Sequence, residues 1–154
     1  IEGNHLIVLS DGQLLAIALP TLWAAATSAG MACLGQPLLM PMRVNLAQPP
    51  AEALLAAWAL AGIHLQADNN GQWLLRAVPP LLRQLDWSQL LQGMAQRPEQ
   101  WPQRAAAAVA VERWQQLSPT ETMPWLTACD GWLQLAHPLP LALWLAEQQG
   151  QHHG

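Results

Sequence analysis

Apolar residues along this chain come in short runs whose period changes, and the changes mark the elements. Leu6 to Leu9 and Leu14 to Leu19 are two apolar runs separated by Ser10-Asp11-Gly12-Gln13. An Asp-Gly pair between such runs tolerates the positive φ of a two-residue turn, so the stretch predicts a β-hairpin. Pro20-Thr21 then opens an Ala-rich segment, Leu22 to Ala29, whose propensity is helical, and Gly30 is placed to stop it. From Leu38 to Leu46 the side chains Met40, Met42, Val44 and Leu46 alternate with Arg43 and Asn45, the period of a half-buried strand.

Pro49-Pro50 leads into a helix with Leu54, Leu55, Trp58 and Ala61 at three- and four-residue spacing, Glu52 near its positive end and Gly62 after it. Ile63, Leu65 and Ala67 alternate toward Asp68-Asn69-Asn70-Gly71, and Trp73, Leu75 and Ala77 alternate back. Strand, helix and hairpin together predict an α+β lobe. Beyond Pro79-Pro80 the pattern turns helical. Asp86-Trp87-Ser88-Gln89 resembles a capping box before Leu90, Leu91 and Met94. Trp101-Pro102 starts a helix with the face Ala108, Val111, Trp114 and Leu117, and a short helix follows Ser118-Pro119 to end near Cys129. Gly131 to Leu135 reads as a last strand, and Pro140 to Gln148 as a closing helix.

The length of 154 residues suits one domain or two small lobes sharing a core. More than half of the residues are apolar, 10% are charged and nine are Trp, which supplies a core and an adhesive surface. The cations are six Arg with no Lys, and the net charge is −4, so no basic footprint attracts a phosphate backbone. The longest apolar stretch, Ala53 to Ile63, falls short of the roughly 20 residues needed to cross a bilayer. The two cysteines, Cys33 and Cys129, are far apart, and no secretory leader opens the chain, so a reducing, cytoplasmic setting is expected. Ile1-Glu2-Gly3 and Gln151-His152-His153-Gly154 read as boundaries cut from a larger polypeptide.

Candidate chemistry is sparse. The carboxylates are scattered singly, with no two at helical spacing, so paired acid/base catalysis has no support. His5, His64 and His137 are isolated, and neither cysteine has a partner at metal-ligand spacing. Ser10, Ser28, Ser88 and Ser118 lack a nucleophile-elbow context. No catalytic and no metal site is therefore assigned.

The segment Gln36-Pro37-Leu38-Leu39-Met40-Pro41 stands apart. A leading glutamine before extended Leu, Leu and Met matches the short motif that bacterial proteins insert into the replication sliding clamp. The amide would bond at a pocket rim while the aliphatic side chains fill the pocket.

The string from Gly35 through Val44, then Ala61-Gly62-Ile63, Arg76-Ala77-Val78-Pro79, Leu82-Arg83-Gln84, Asp11-Gly12 ahead of Leu19-Pro20, and His137-Pro138 resemble the C-terminal domain of MutL mismatch repair proteins. The resemblance implies an α+β fold of two lobes. Residues 1–35 and 121–154 would form a dimerisation subdomain, with Leu6, Val8, Leu14, Ile17, Leu141, Trp144 and Leu145 at the interface. Residues 36–120 would form an inserted outer, regulatory subdomain.

Relatives that cleave DNA carry an Asp-Gln-His-Ala helix motif and a terminal Cys-x-His motif. Here the matching helix reads Leu19-Pro20-Thr21-Leu22-Trp23-Ala24-Ala25-Ala26, and Cys129-Asp130-Gly131-Trp132 lacks the terminal ligands. The resemblance thus implies the nuclease-free branch, a bacterial cytoplasmic homodimer that tethers two N-terminal ATPase domains. It implies docking to the sliding clamp, the mismatch sensor, the strand-nicking endonuclease and a helicase. DNA would be reached only through the full-length protein, and no membrane is involved. ATP and magnesium would belong to the N-terminal domain, leaving this one without a cofactor. Two other readings compete: a metal-dependent nicking endonuclease of the same family, and a small ligand-binding regulatory domain with its ligand among the Trp residues.

Overall fold

A computed structural model describes residues 4–139 of the chain. Its first element is the hairpin of β1 (His5–Ser10) and β2 (Gln13–Ala18), paired antiparallel from His5↔Ala18 to Ser10↔Gln13. Asp11 at φ 51° and Gly12 at φ 76° make the two-residue turn, which twists in the sense the strands require. A third strand, β6 (His137–Pro138), returns to the other edge of β2, so β2 is central in a sheet ordered β1-β2-β6.

Helix α1 (Leu19–Ser28) follows β2 directly, with Pro20 at its first turn, where a missing N–H costs nothing. Leu22, Trp23 and Ala26 are buried, and Gly30 at φ 95° reverses the chain. The second sheet is ordered β3-β5-β4, from β3 (Gln36–Val44), β4 (His64–Ala67) and β5 (Trp73–Val78), all antiparallel neighbours. Helix α2 (Glu52–Leu60) precedes β4 and inserts Leu54 and Trp58 into the core. The turn between β4 and β5 is closed by the Asp68 carboxylate, which accepts from the N–H groups of Asn70 and Gln72 at 2.9 and 2.8 Å.

The remaining helices are α3 (Trp87–Gln96), α4 (Trp101–Ala108), α5 (Val111–Gln115), α6 (Pro119–Ala128) and α7 (Trp132–Leu135). Asp86 caps α3 by accepting from the Gln89 N–H, and Ser118 caps α6 by accepting from the Glu121 N–H. Helix α1 packs against α4, α6 and α7, so one continuous core runs from Ile17 of the first sheet to Leu75 and Val78 of the second. Two edge-to-face indole pairs bind it: Trp23 with Trp101, and Trp114 with Trp125.

Three expectations change. The helix begun at Trp101 breaks after Ala108, because Val109 turns into the core with extended ψ 131°, and a separate helix restarts at Val111. Ala108 and Val111 are exposed rather than buried, and Trp101, Ala105 and Ala106 form the inner face. The stretch Gly131 to Leu135 is helical at Trp132–Leu135, and the last described strand is His137–Pro138. The closing helix over Pro140 to Gln148 lies outside the described residues.

Candidate functional site

The second sheet carries the most unusual local geometry. At its start Gly35 and Gly62 cross backbone to backbone. A Cβ on Gly35 would collide with the Gly62 carbonyl oxygen, and a Cβ on Gly62 would lie 3.1 Å from the Cys33 carbonyl. Gly62 also sits at φ 96°, which glycine alone adopts without strain. The crossing fixes the chain immediately before Gln36.

Two clamps then hold β3. Gln36 and Pro37 pair with Val78 and Ala77 of β5, while Met42, Arg43 and Val44 pair with Leu75, Leu74 and Trp73. Between them the register shifts: four residues, Leu38 to Pro41, stand opposite Arg76 alone. The surplus residues bulge away from the ladder, with Pro37 just before them and Pro41 as the last of them, and neither proline has an N–H to donate to a partner strand.

The bulge separates the motif's side chains. Leu38 packs against the core, whereas Leu39 is 98% and Met40 81% exposed. The expected inward alternation of Met40 and Met42 therefore fails, since Met42 is also 40% exposed and only Val44 of that series is fully buried. The displaced register reassigns the faces. Gln36 is exposed, and its Oε1 accepts a hydrogen bond from Arg83 Nη1 at 3.2 Å. Arg83 is 47 residues away in sequence and carried no signal of this contact.

The hairpin offers a second surface. Opposed residues in an antiparallel pair point to one face, so Leu6 with Ile17 and Val8 with Leu15 face inward. Ile17 is fully buried, and Leu6 and Val8 pack against the same core, which leaves Ile17 no area for a partner. The opposite face carries Ile7, 36% exposed, with Leu9, 70% exposed, beside the half-buried Leu14. The outward position of Ile7 and Leu9 was not legible in the sequence because both strands are apolar on both faces, and only register distinguishes inside from outside. Leu141, Trp144 and Leu145 lie outside the described residues.

Reactive chemistry finds little to build on. Among the described residues no three His, Cys, Asp or Glu side chains converge on a metal position. Burial pushes the Cys33 thiol above its ordinary pKa, which withholds the thiolate a nucleophile needs. No helix among the described residues is long and apolar enough to cross a membrane.

Comparison with known proteins returns one family. Residues 24–119, more than half of the chain, match the MutL C terminal dimerisation domain. The matched span begins within α1, includes the whole second sheet and α2 to α5, and stops at the first residue of α6; the hairpin lies outside it. No curated protein matches the chain.

Proposed function

From the premise that this chain belongs to the MutL C terminal dimerisation domain family, we propose that it is the self-associating tether of a mismatch repair protein and presents a docking loop for the sliding clamp. Self-association holds two N-terminal ATPase domains at high effective concentration, so that their closure becomes an intramolecular event. The chain's own part is mechanical and requires no catalytic group.

The observation that carries the docking half is the bulge of β3. A short linear motif binds by burying apolar side chains in a partner's pocket, and it must offer them without unfolding its host. Leu39 and Met40 meet that condition, projecting from a segment pinned on both sides by the ladder to β5. Such pinning lowers the ordering cost of binding. Leu38 stays with the core, so Leu39 and Met40 would do the work in the pocket.

For self-association, the outward face of the hairpin, Ile7, Leu9 and Leu14, is the surface proposed. It is apolar, lies on one face of two paired strands, and suits an isologous contact across a two-fold axis. Residues 36–120 then form the outer, regulatory part, while the nuclease-free assignment rests on the sequence of α1 and of Cys129-Asp130-Gly131-Trp132. The bacterial cytoplasm, the mismatch sensor, the strand-nicking endonuclease and the helicase enter on the same resemblance. Sedimentation equilibrium at micromolar concentration tests the centre of the reading. A species of twice the 16.8 kDa chain mass is expected, and a clean monomer would refute the tether.

A further inference from the structure

A cavity of about 650 Å³ opens beside Gln36, between the 3₁₀ turn Pro80–Leu82 and the joint of α4 with α5. Leu81, Leu85 and Val109 contribute its apolar lining, and Arg83 and Arg113 its charges; no Asp or Glu lines it. Neither guanidinium has a carboxylate partner among the described residues: Arg83 donates to Gln36, and Arg113 is half-buried without an ion pair.

The sign of this cavity opposes that of the chain, which carries −4 with six cations in all. A guanidinium presents a planar fork of N–H donors that fits a carboxylate, and Gln36 already restrains the one on Arg83. Gln84 and Gln116 add polar groups to the rim, and Leu81 and Leu85 leave a smaller apolar part. A nucleic-acid backbone is gripped by a row of cations along a surface, whereas two arginines beside two leucines suit a carboxylate with an apolar neighbour.

We propose that this cavity receives an acidic segment of a partner polypeptide, with a Glu or Asp carboxylate held between Arg83 and Arg113 and an adjacent apolar side chain against the half-buried Leu81 and Leu85. The assignment does not depend on the tether or on clamp docking: it shares only Gln36 with the clamp motif, and Leu39 and Met40 take no part in it.

The test is an amide chemical-shift titration of the 154-residue chain with acetyl-Leu-Glu-Leu-Glu-amide as probe. Its Gln-for-Glu counterpart and an oligothymidylate serve as comparisons. Shifts at Leu81, Arg83 and Arg113 are expected from the Glu peptide, and an affinity at least about tenfold lower from the Gln peptide, the scale of a lost charge-assisted hydrogen bond. R83Q and R113Q, each with an otherwise unchanged spectrum, should weaken the Glu peptide to a similar extent. No shift at these amides, equal response to both peptides, or response to the oligothymidylate alone would overturn the proposal.

Discussion

Trp23 of α1 and Trp101 at the head of α4 meet edge to face, with 6.5 Å between ring centroids and 85° between planes. Both are buried, and the contact joins the helix that follows the hairpin to the helices that follow the second sheet. This pair lies in the one core that the hairpin and the second sheet share.

Truncating either indole should therefore destabilise the whole unit cooperatively. Trp23→Ala and Trp101→Ala are each expected to cost about 3–5 kcal/mol, by lost transfer energy and a residual cavity. In a double-mutant cycle the two should couple by about 0.5–1.5 kcal/mol. Urea denaturation followed by far-UV circular dichroism, at one fixed protein concentration, measures all three; strict additivity would reduce the pair to its buried area.

Gly62 is needed for two separate reasons, positive φ and the close approach to Cys33 and Gly35, and a second glycine separates them. Gly12 shares the positive φ, at 76°, but a Cβ there would meet nothing within 4 Å. Gly12→Ala is expected to cost about 1–2 kcal/mol from backbone strain alone. Gly62→Ala should cost clearly more, and calorimetry should show the larger fall in melting temperature, about 2–4 °C for each kcal/mol. Equal losses would mean that the crossing at Gly35 yields without penalty.

Much of this fold was legible because its signals are local. Asp11-Gly12 announced the hairpin, Pro20 and Gly30 bracketed α1, and Gly62 closed α2, each through a backbone preference of the residue itself. What was not legible depends on distant partners. No Gly or Pro marks the break between α4 and α5, which exists because Val109 is drawn into the core. The bulge in β3 is a register effect, set by β5 more than thirty positions later, although Pro37 and Pro41 four apart were a readable hint. The Gln36–Arg83 contact left no trace in the sequence at all.

The two faces of the hairpin give opposite expectations. Ile17 faces the core, so Ile17→Ala should lower stability by about 2–5 kcal/mol. Leu9 faces out, so Leu9→Glu should leave the protomer's stability within about 0.5 kcal/mol while placing like charges near the proposed two-fold axis. Sedimentation equilibrium should then show the L9E dimer dissociating. A variant that remains dimeric would move the interface off this face.

The bulge of β3 gives the sharpest expectation, because exposure separates its proposed role in docking from its part in folding. Leu39 and Met40 contact little of their own protein, so Leu39→Ala and Met40→Ala should leave melting temperature and self-association unchanged. Leu38 packs against the core, and Leu38→Ala should lower stability as well as docking. Fluorescence anisotropy of the labelled chain against the purified clamp should report a loss of about tenfold or more for Leu39→Ala, the scale of a large aliphatic side chain removed from an apolar pocket. Gln36→Ala should weaken docking by less, since Arg83 competes for the same carbonyl oxygen in the free chain. Should Leu39→Ala bind the clamp as tightly as the parent chain, the bulge would be a structural irregularity of β3 and the clamp reading would fall, leaving the self-association reading intact.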